Sequence, residues 1–122
     1  SFRGWYRNPS RASKQSLAIP FQDGTGQWQA LRPDFLFFHA NQDGTIRADI
    51  VDPHGTHLAD ALPKLRGLAE YAQAHGDAFG RIEAVAEIDG QLRVLDMKND
   101  VVQAGVHAAQ DAESLYKAAP AY

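Results

Sequence analysis

Two aspartates and a histidine are spaced so that one β-hairpin would bring their side chains together. Asp34 precedes an apolar, aromatic run, while Asp52 and His54 directly follow a β-branched one. Between the runs, Asp43-Gly44 has the residue types that a tight hairpin turn favours. Carboxylates that face each other can share a hard cation such as Mg²⁺ or Mn²⁺, which stabilises charge on a phosphate and lowers the pKa of an attacking water. The pattern therefore predicts a metal site suited to phosphodiester hydrolysis.

The register of this hairpin decides whether the two carboxylates meet. With a three-residue loop of residues 42–44, Asn41 pairs with Thr45 and Asp34 lies opposite Asp52, on the same face of the sheet. A two-residue loop would shift the register by one residue and turn Asp52 to the other face. Because like charges directly opposite each other destabilise a sheet, a bound cation would compensate the facing pair.

Neighbouring polar residues leave alternatives open. His57 could join His54 as a second nitrogen ligand, which would suit zinc better than magnesium, or it could be a loop residue hydrogen-bonded near a helix start. Asp49 falls on the opposite strand face from Asp52 by parity, so we expect it to be solvated or ion-paired rather than a ligand.

Periodicity and turn signals predict the elements that position these residues. A helix is expected from Asp60, its N-cap, to about His75, with Pro63 in its first turn and Gly76 ending it. Asp89-Gly90 predicts the turn of a second hairpin. The expected strands are residues 16–21, 28–31, 35–40, 46–51, 81–88 and 91–95, and a closing helix is expected over residues 101–119.

The predicted elements favour an α/β (α+β) fold with a mixed central sheet and flanking helices, and the composition favours a single domain. The chain has 122 residues, of which 44% are apolar and 22% charged, which suits a single core. It has no cysteine, and no run approaches the roughly 20 apolar residues of a membrane span. We therefore expect a cytoplasmic protein without membrane contact. Because the first residue is Ser1, we also expect residues 1–122 to be one piece of a longer protein.

Charge is unevenly distributed along the chain. The net charge is −3, but residues 1–33 carry +4 and residues 34–122 carry −7. The basic segment, residues 1–14, also contains Trp5 and Tyr6. Cations mixed with aromatic side chains can hold phosphates and stack on bases. A plain arginine-rich lead-in whose aromatics pack on the core explains the same pattern. The candidate DNA contacts are Arg3, Arg7, Arg11 and Lys14 in this segment and Lys64 in the predicted helix.

The chain resembles the PD-(D/E)XK nuclease superfamily, in which Pro-Asp opens one strand and an acidic residue, a spacer and usually a lysine follow across a hairpin. More narrowly, residues 4–75 are similar to the C-terminal nuclease region of type III restriction-enzyme subunits and related helicases. The matching motifs are Gly4-Trp5-Tyr6-Arg7-Asn8-Pro9, Ile19-Pro20-Phe21, Arg32-Pro33-Asp34-Phe35 and Ile50-Val51-Asp52-Pro53-His54-Gly55.

This resemblance implies a restriction-endonuclease-like sheet and a catalytic set of Asp34, Asp52 and His54, with both aspartates as ligands of Mg²⁺ or Mn²⁺. His54 stands where the superfamily has its lysine. Lys64 is a possible replacement cation, although an ion pair with Asp60 four residues earlier also explains it. The implied function is a DNA endonuclease domain beside a helicase or translocase partner, in the same chain or another subunit. The alternative is a catalytically impaired nuclease fold that binds DNA or docks a partner.

Overall fold

The chain forms seven strands and three helices in a computed structural model that describes residues 2–7, 17–54 and 61–121. The strands are β1 (Phe2–Arg7), β2 (Ile19–Gln22), β3 (Trp28–Leu31), β4 (Phe35–Ala40), β5 (Ile46–His54), β6 (Phe79–Ile88) and β7 (Gln91–Asp96). The helices are α1 (Ala61–His75), α2 (Asp100–Ala108) and α3 (Ala112–Ala118), and one 3₁₀ turn spans Gly76–Ala78.

Five strands form the central sheet in the order β1-β4-β5-β6-β7. The β1–β4, β4–β5 and β6–β7 pairs are antiparallel, whereas β5 and β6 are parallel. Parallel neighbours need a crossover connection, and α1 supplies it between β5 and β6. The predicted α+β class with a mixed central sheet and flanking helices is confirmed.

The β6–β7 hairpin follows directly from its turn residues. Asp89 and Gly90 have φ values of 52° and 79°, and the residues on either side of them, Ile88 and Gln91, form the first pair of the ladder. Two consecutive residues with positive φ match the twist of the flanking strands. This hairpin confirms the prediction made from Asp89-Gly90.

The helices share one core with one face of the central sheet. Ile50 of β5 and the alternating residues Ile82, Ala84 and Ala86 of β6 are buried in this core. They pack with apolar side chains from all three helices, namely Ala61, Leu65, Leu68, Ala69, Ala72, Val106, Ala112 and Tyr116. Burying these side chains is the main force that holds α1 over β5 and β6.

A glycine lets α1 approach the small second sheet, which β2 and β3 form by themselves. Gly67 is buried in the middle of α1, and a Cβ atom added there would overlap Cβ of Phe21. Only a residue without a side chain allows helix and strand to meet this closely.

Three sequence predictions differ from the fold. The expected closing helix over residues 101–119 is wrong, because Ala109 is extended and Asp111 caps a new helix by accepting a hydrogen bond from the Ser114 N–H at 2.8 Å. Residues 2–7 of the basic segment, for which no element was predicted, form the edge strand β1. The strand expected at residues 16–21 begins later, at Ile19.

Other predicted features lie outside the described residues or agree with the fold. The N-cap role of Asp60 and the ligand role of His57 fall on residues that are not described. Pro63 does lie in the first turn of α1. Among the described helices, none is long and apolar enough to cross a membrane.

Candidate functional site

The β4–β5 hairpin has the register that brings the two aspartates together. The Asn41 N–H donates to the Thr45 carbonyl at 2.7 Å, Gly44 has a φ of 86°, and Phe35 pairs with Val51. One residue past that pair, the Asp34 N–H donates to Oδ1 of Asp52 at 3.2 Å. The predicted three-residue loop, and the opposed positions of Asp34 and Asp52 that depend on it, are confirmed.

Asp52 is a buried carboxylate with a strongly perturbed pKa. Its exposed fraction is 4%, because it points to the sheet face that the helices cover. Burial is the largest cause and the charge of Asp34 adds to it, so that the pKa rises to about 6 although the Asp34 N–H and Lys64 lower it. Asp52 is therefore mostly ionised at pH 7, about half protonated near pH 6 and mostly neutral at pH 5.

His54 lies two residues further along β5, on the same face as Asp52. Its Nε2 is 3.6 Å from Oδ2 of Asp52, too far for a hydrogen bond. Burial, and then the charge of Lys64, lower the pKa of His54 to about 4. Because this pKa is below that of Asp52, the pair is not an ion pair, and His54 is a neutral imidazole near pH 7.

Lys64 is the cation that acts on this site. It lies in the first turn of α1, half-buried, and its charge lowers the pKa of both Asp52 and His54. The sequence left two interpretations for Lys64, a surface ion pair with Asp60 or a replacement for the missing lysine. Asp60 is not among the described residues, so the choice between these two interpretations stays open.

Tyr116 is a member of the site that the sequence did not reveal. It comes from α3, it is fully buried, and its ring centroid lies 6.3 Å from that of His54. Burial and the charge of Asp52 raise its pKa, so the hydroxyl stays protonated. A tyrosine in an alanine-rich tail has no local signal for this role, because only the packing of α3 brings it to β5.

Two buried polar atoms near Asp52 have no hydrogen-bond partner among the described residues, Nε2 of His54 and Oη of Tyr116. Buried polar groups are nearly always satisfied, so such atoms usually mark a place for water, an ion or a ligand. Within residues 2–7, 17–54 and 61–121, no three His, Cys, Asp or Glu side chains converge to hold a metal ion. Two carboxylates still suit magnesium, which commonly takes one or two of them together with waters and substrate phosphate.

The predicted DNA-binding residues are only partly described. Arg3 and Arg7 belong to β1, which is separated from β5 by β4. Arg11 and Lys14 fall outside the described residues, so the role of the basic segment stays a prediction. Asp49 lies on the opposite face from Asp52, as predicted, and its Oδ2 is 2.8 Å from Nε2 of His39.

Comparison with known proteins gives a family and one close relative. The model of the YagJ family matches residues 1–122. Protein YagJ of Escherichia coli (strain K12) is 55% identical over 115 residues, which are 94% of this chain and 46% of that protein. The chain thus spans about half the length of this curated relative. No solved structure matches the chain significantly.

Proposed function

The chain belongs to the YagJ family, and from the geometry of its site we propose that it is a metal-dependent endonuclease domain acting on DNA. The observation that carries the proposal is the buried carboxylate of Asp52 beside Asp34, with His54 and Lys64 around it. The resemblance to PD-(D/E)XK nucleases supports it, since a mixed sheet with flanking helices is what that resemblance implies. The same proposal includes a cytoplasmic location and a helicase or translocase partner.

Asp34 and Asp52 are the residues that would hold Mg²⁺ or Mn²⁺. The bound ion would supply charge stabilisation on the scissile phosphate and a water of lowered pKa. Lys64 partly opposes the rise in the pKa of Asp52 that burial causes, and it would add positive charge that attracts the phosphate. His54, being neutral, can hydrogen-bond a water at its buried Nε2 rather than act as a cation.

The test is Mn²⁺-dependent nicking of supercoiled plasmid by the full chain and by matched aspartate variants. Asp34→Asn and Asp52→Asn keep the side-chain shape and remove one ligand charge each. We expect either change to lower the nicking rate at least about a hundredfold, because ligand carboxylates cannot be replaced by waters without loss of metal. Nicking by both variants at the wild-type rate would exclude the proposal.

Asp89→Asn is the matched control for these variants. Asp89 is an exposed carboxylate in the β6–β7 turn, and its φ of 52° is one that asparagine also tolerates. This variant should nick like the wild type. Thermal unfolding of all three variants separates loss of metal chemistry from loss of fold.

A second function is favoured by one specific observation. His54 is neutral at the position where the superfamily carries a permanent cation, which suits a domain that binds DNA, or docks a partner, without cleaving it. That function predicts saturable DNA binding that Asp34→Asn leaves unchanged and no nicking at any Mn²⁺ concentration. Nicking that depends on Asp52 would exclude it.

A further inference from the structure

A polar cavity of about 330 Å³ lies at the turn end of the β4–β5 hairpin, away from Asp52. Asp49 is on the opposite sheet face from Asp52 by strand parity, and it forms part of this cavity. The lining residues are His39, Asn41, Arg47, Asp49, Gly80 and Arg81. The cavity is therefore separate from the proposed nuclease site in both position and residues.

The carboxylate of Asp49 lies in the wall of the cavity and is held there by its own partners. The carboxylate is 7% exposed and both of its oxygens have partners. Oδ1 accepts the Arg81 N–H at 2.9 Å, and Oδ2 is 2.8 Å from Nε2 of His39. Gly80 makes this possible, because a Cβ atom at that position would overlap Oδ1.

The two arginines of the cavity have almost no internal partners. Both are exposed, and the guanidinium of Arg81 makes no hydrogen bond to any described residue. Arg47 makes one, a 3.5 Å contact from Nη2 to the carbonyl of Asp77. The nearby carboxylate of Asp43 accepts two hydrogen bonds from Thr45, and these bonds together with the charge of Arg47 lower its pKa.

A third cation fixes the backbone beside the arginines. Nζ of Lys98 donates to the carbonyl of Phe79 at 2.8 Å and contacts that of Gly80 at 3.4 Å. These contacts hold the strand segment that supplies Arg81. Arg47, Arg81 and Lys98 thus bring three positive charges to this corner, where the carboxylate of Asp49 already has its own partners.

We propose that this cavity binds a phosphate group, held by the guanidinium groups of Arg47 and Arg81 and by the second N–H of the Asn41 side-chain amide, whose first N–H donates to Oγ1 of Thr45 at 2.9 Å. Guanidinium groups present planar pairs of donors that match phosphate oxygens, and they lose less entropy per hydrogen bond than a lysine does. His39, fixed in place by Asp49, lines the inner wall. The volume exceeds that of one phosphate ion, which leaves room for the molecule that carries the phosphate.

An exposed tryptophan on the same sheet face favours a nucleotide as that molecule. Trp5 pairs with Phe37, and Phe37 in turn pairs with Asp49 in the next strand. Directly opposed residues of neighbouring strands share a face. The indole of Trp5 is 59% exposed and contacts Phe35 edge-to-face at 5.7 Å, which leaves ring surface on which a base can stack.

The test is titration of the ¹⁵N-labelled full chain with sodium phosphate, followed by NMR, with sodium chloride of equal ionic strength as reference. We expect saturable shifts of the Asn41, Gly80 and Arg81 amides with phosphate and none with chloride. Arg47→Gln and Arg81→Gln should each weaken binding about tenfold, since each removes a charge-assisted contact. Lys117→Gln, which removes an exposed charge far from the cavity, should leave it unchanged.

Two further arms identify the source of the phosphate and separate this site from the nuclease proposal. Displacement of phosphate by adenosine monophosphate indicates a nucleotide, displacement only by a single-stranded oligonucleotide indicates a nucleic-acid backbone, and displacement by neither indicates free phosphate. The double variant Asp34→Asn/Asp52→Asn should bind phosphate normally, whatever its nicking activity. Absence of saturable shifts, or equal binding by the two arginine variants and the wild type, would overturn the proposal.

Discussion

Burial moves the pKa values of Asp52 and His54 in opposite directions, and these two groups set the charge of the candidate nuclease site. The folded protein holds the proton of Asp52 up to about pH 6, whereas the ordinary carboxyl value is 3.8. The stability that Asp52 contributes is therefore present at low pH and lost as the pH rises from about 4 to 6. His54 has the opposite sign, because its pKa of about 4 lies below the ordinary 6.5. The stability that His54 contributes is lost as the pH falls from about 6.5 to about 4.

Asp52→Asn should make the protein more stable at pH 7 by about 2–3 kcal/mol, since two pKa units correspond to roughly that free energy. The gain should shrink to about 0.5 kcal/mol at pH 4, because Asp52 is then neutral in the folded state, whereas a carboxyl with the ordinary pKa of 3.8 is still partly ionised in the unfolded state. The remaining His54 contribution should then make the stability of this variant rise between pH 4 and 6. Urea unfolding of the wild type and of Asp52→Asn at pH 4, 5.5 and 7 measures the gain in stability and its dependence on pH. A gain of equal size at pH 4 and pH 7 would contradict the assigned pKa of Asp52.

The effect of the Lys64 charge on the site can be measured without an assay of DNA cleavage. Lys64→Gln should raise the pKa of both Asp52 and His54, because the positive charge favours the ionised carboxylate and opposes the protonated imidazole. Titration of the His54 ring by NMR measures the effect directly. Lys117→Gln removes a charge that is paired with Glu113 elsewhere, and it should leave the His54 titration unchanged. Identical curves for the wild type and Lys64→Gln would place Lys64 outside the site.

At the scale of elements, the β4–β5 hairpin determines the site because its loop length sets the register. Gly44 at positive φ and the Asn41–Thr45 hydrogen bond close a three-residue loop. The sequence offered two- and three-residue loops, and only the longer one places Asp34 opposite Asp52. The turn residues thus predicted the site except for the choice between these two loop lengths.

Replacing glycine by alanine should change the stability of the protein in opposite directions at two positions in the helices. Gly67→Ala should destabilise the protein by about 1–3 kcal/mol, because the new Cβ would overlap Phe21 and force α1 away from β2. Gly105→Ala should stabilise it by up to about 1 kcal/mol, because its Cβ would only touch a Leu115 methyl at 3.9 Å and alanine favours the helix. Urea unfolding of both variants is the measurement. Equal effects would mean that the α1–β2 contact is looser than described.

The tail shows where local signals were not sufficient. Val102, Val106 and Leu115 lie at roughly helical spacing, which predicts one helix over residues 101–119. Two helices form instead, and Asp111 caps the second. Periodicity cannot detect such a break when both helices pack their apolar faces on the same core.

For the whole molecule, a metal ion that binds only the folded state must raise the unfolding temperature. At a Mn²⁺ concentration of about a hundred times Kd, the gain in stability should be roughly 2.7 kcal/mol, and it should disappear in Asp34→Asn/Asp52→Asn. Below pH 6 the gain should shrink, because protons then compete for Asp52. Calorimetric melting at pH 5 and 7 measures both effects. Asp89→Asn should behave like the wild type, and an equal Mn²⁺ gain in the double variant would mean that the ion binds elsewhere.

The amino-acid sequence by itself determined the hairpins, the first helix and the α+β class, and it reduced the pairing of Asp34 with Asp52 to a choice between two loop lengths. These features depend on turn residues and on the periodicity of neighbours along the chain, both of which are local. Only the tertiary structure decided which groups surround Asp52. Lys64 and Tyr116 come from separate helices, and burial, not residue type, makes His54 neutral and Asp52 easy to protonate. The phosphate cavity has the same origin, because Arg47 and Arg81 meet only when α1 carries the chain from β5 to the parallel strand β6.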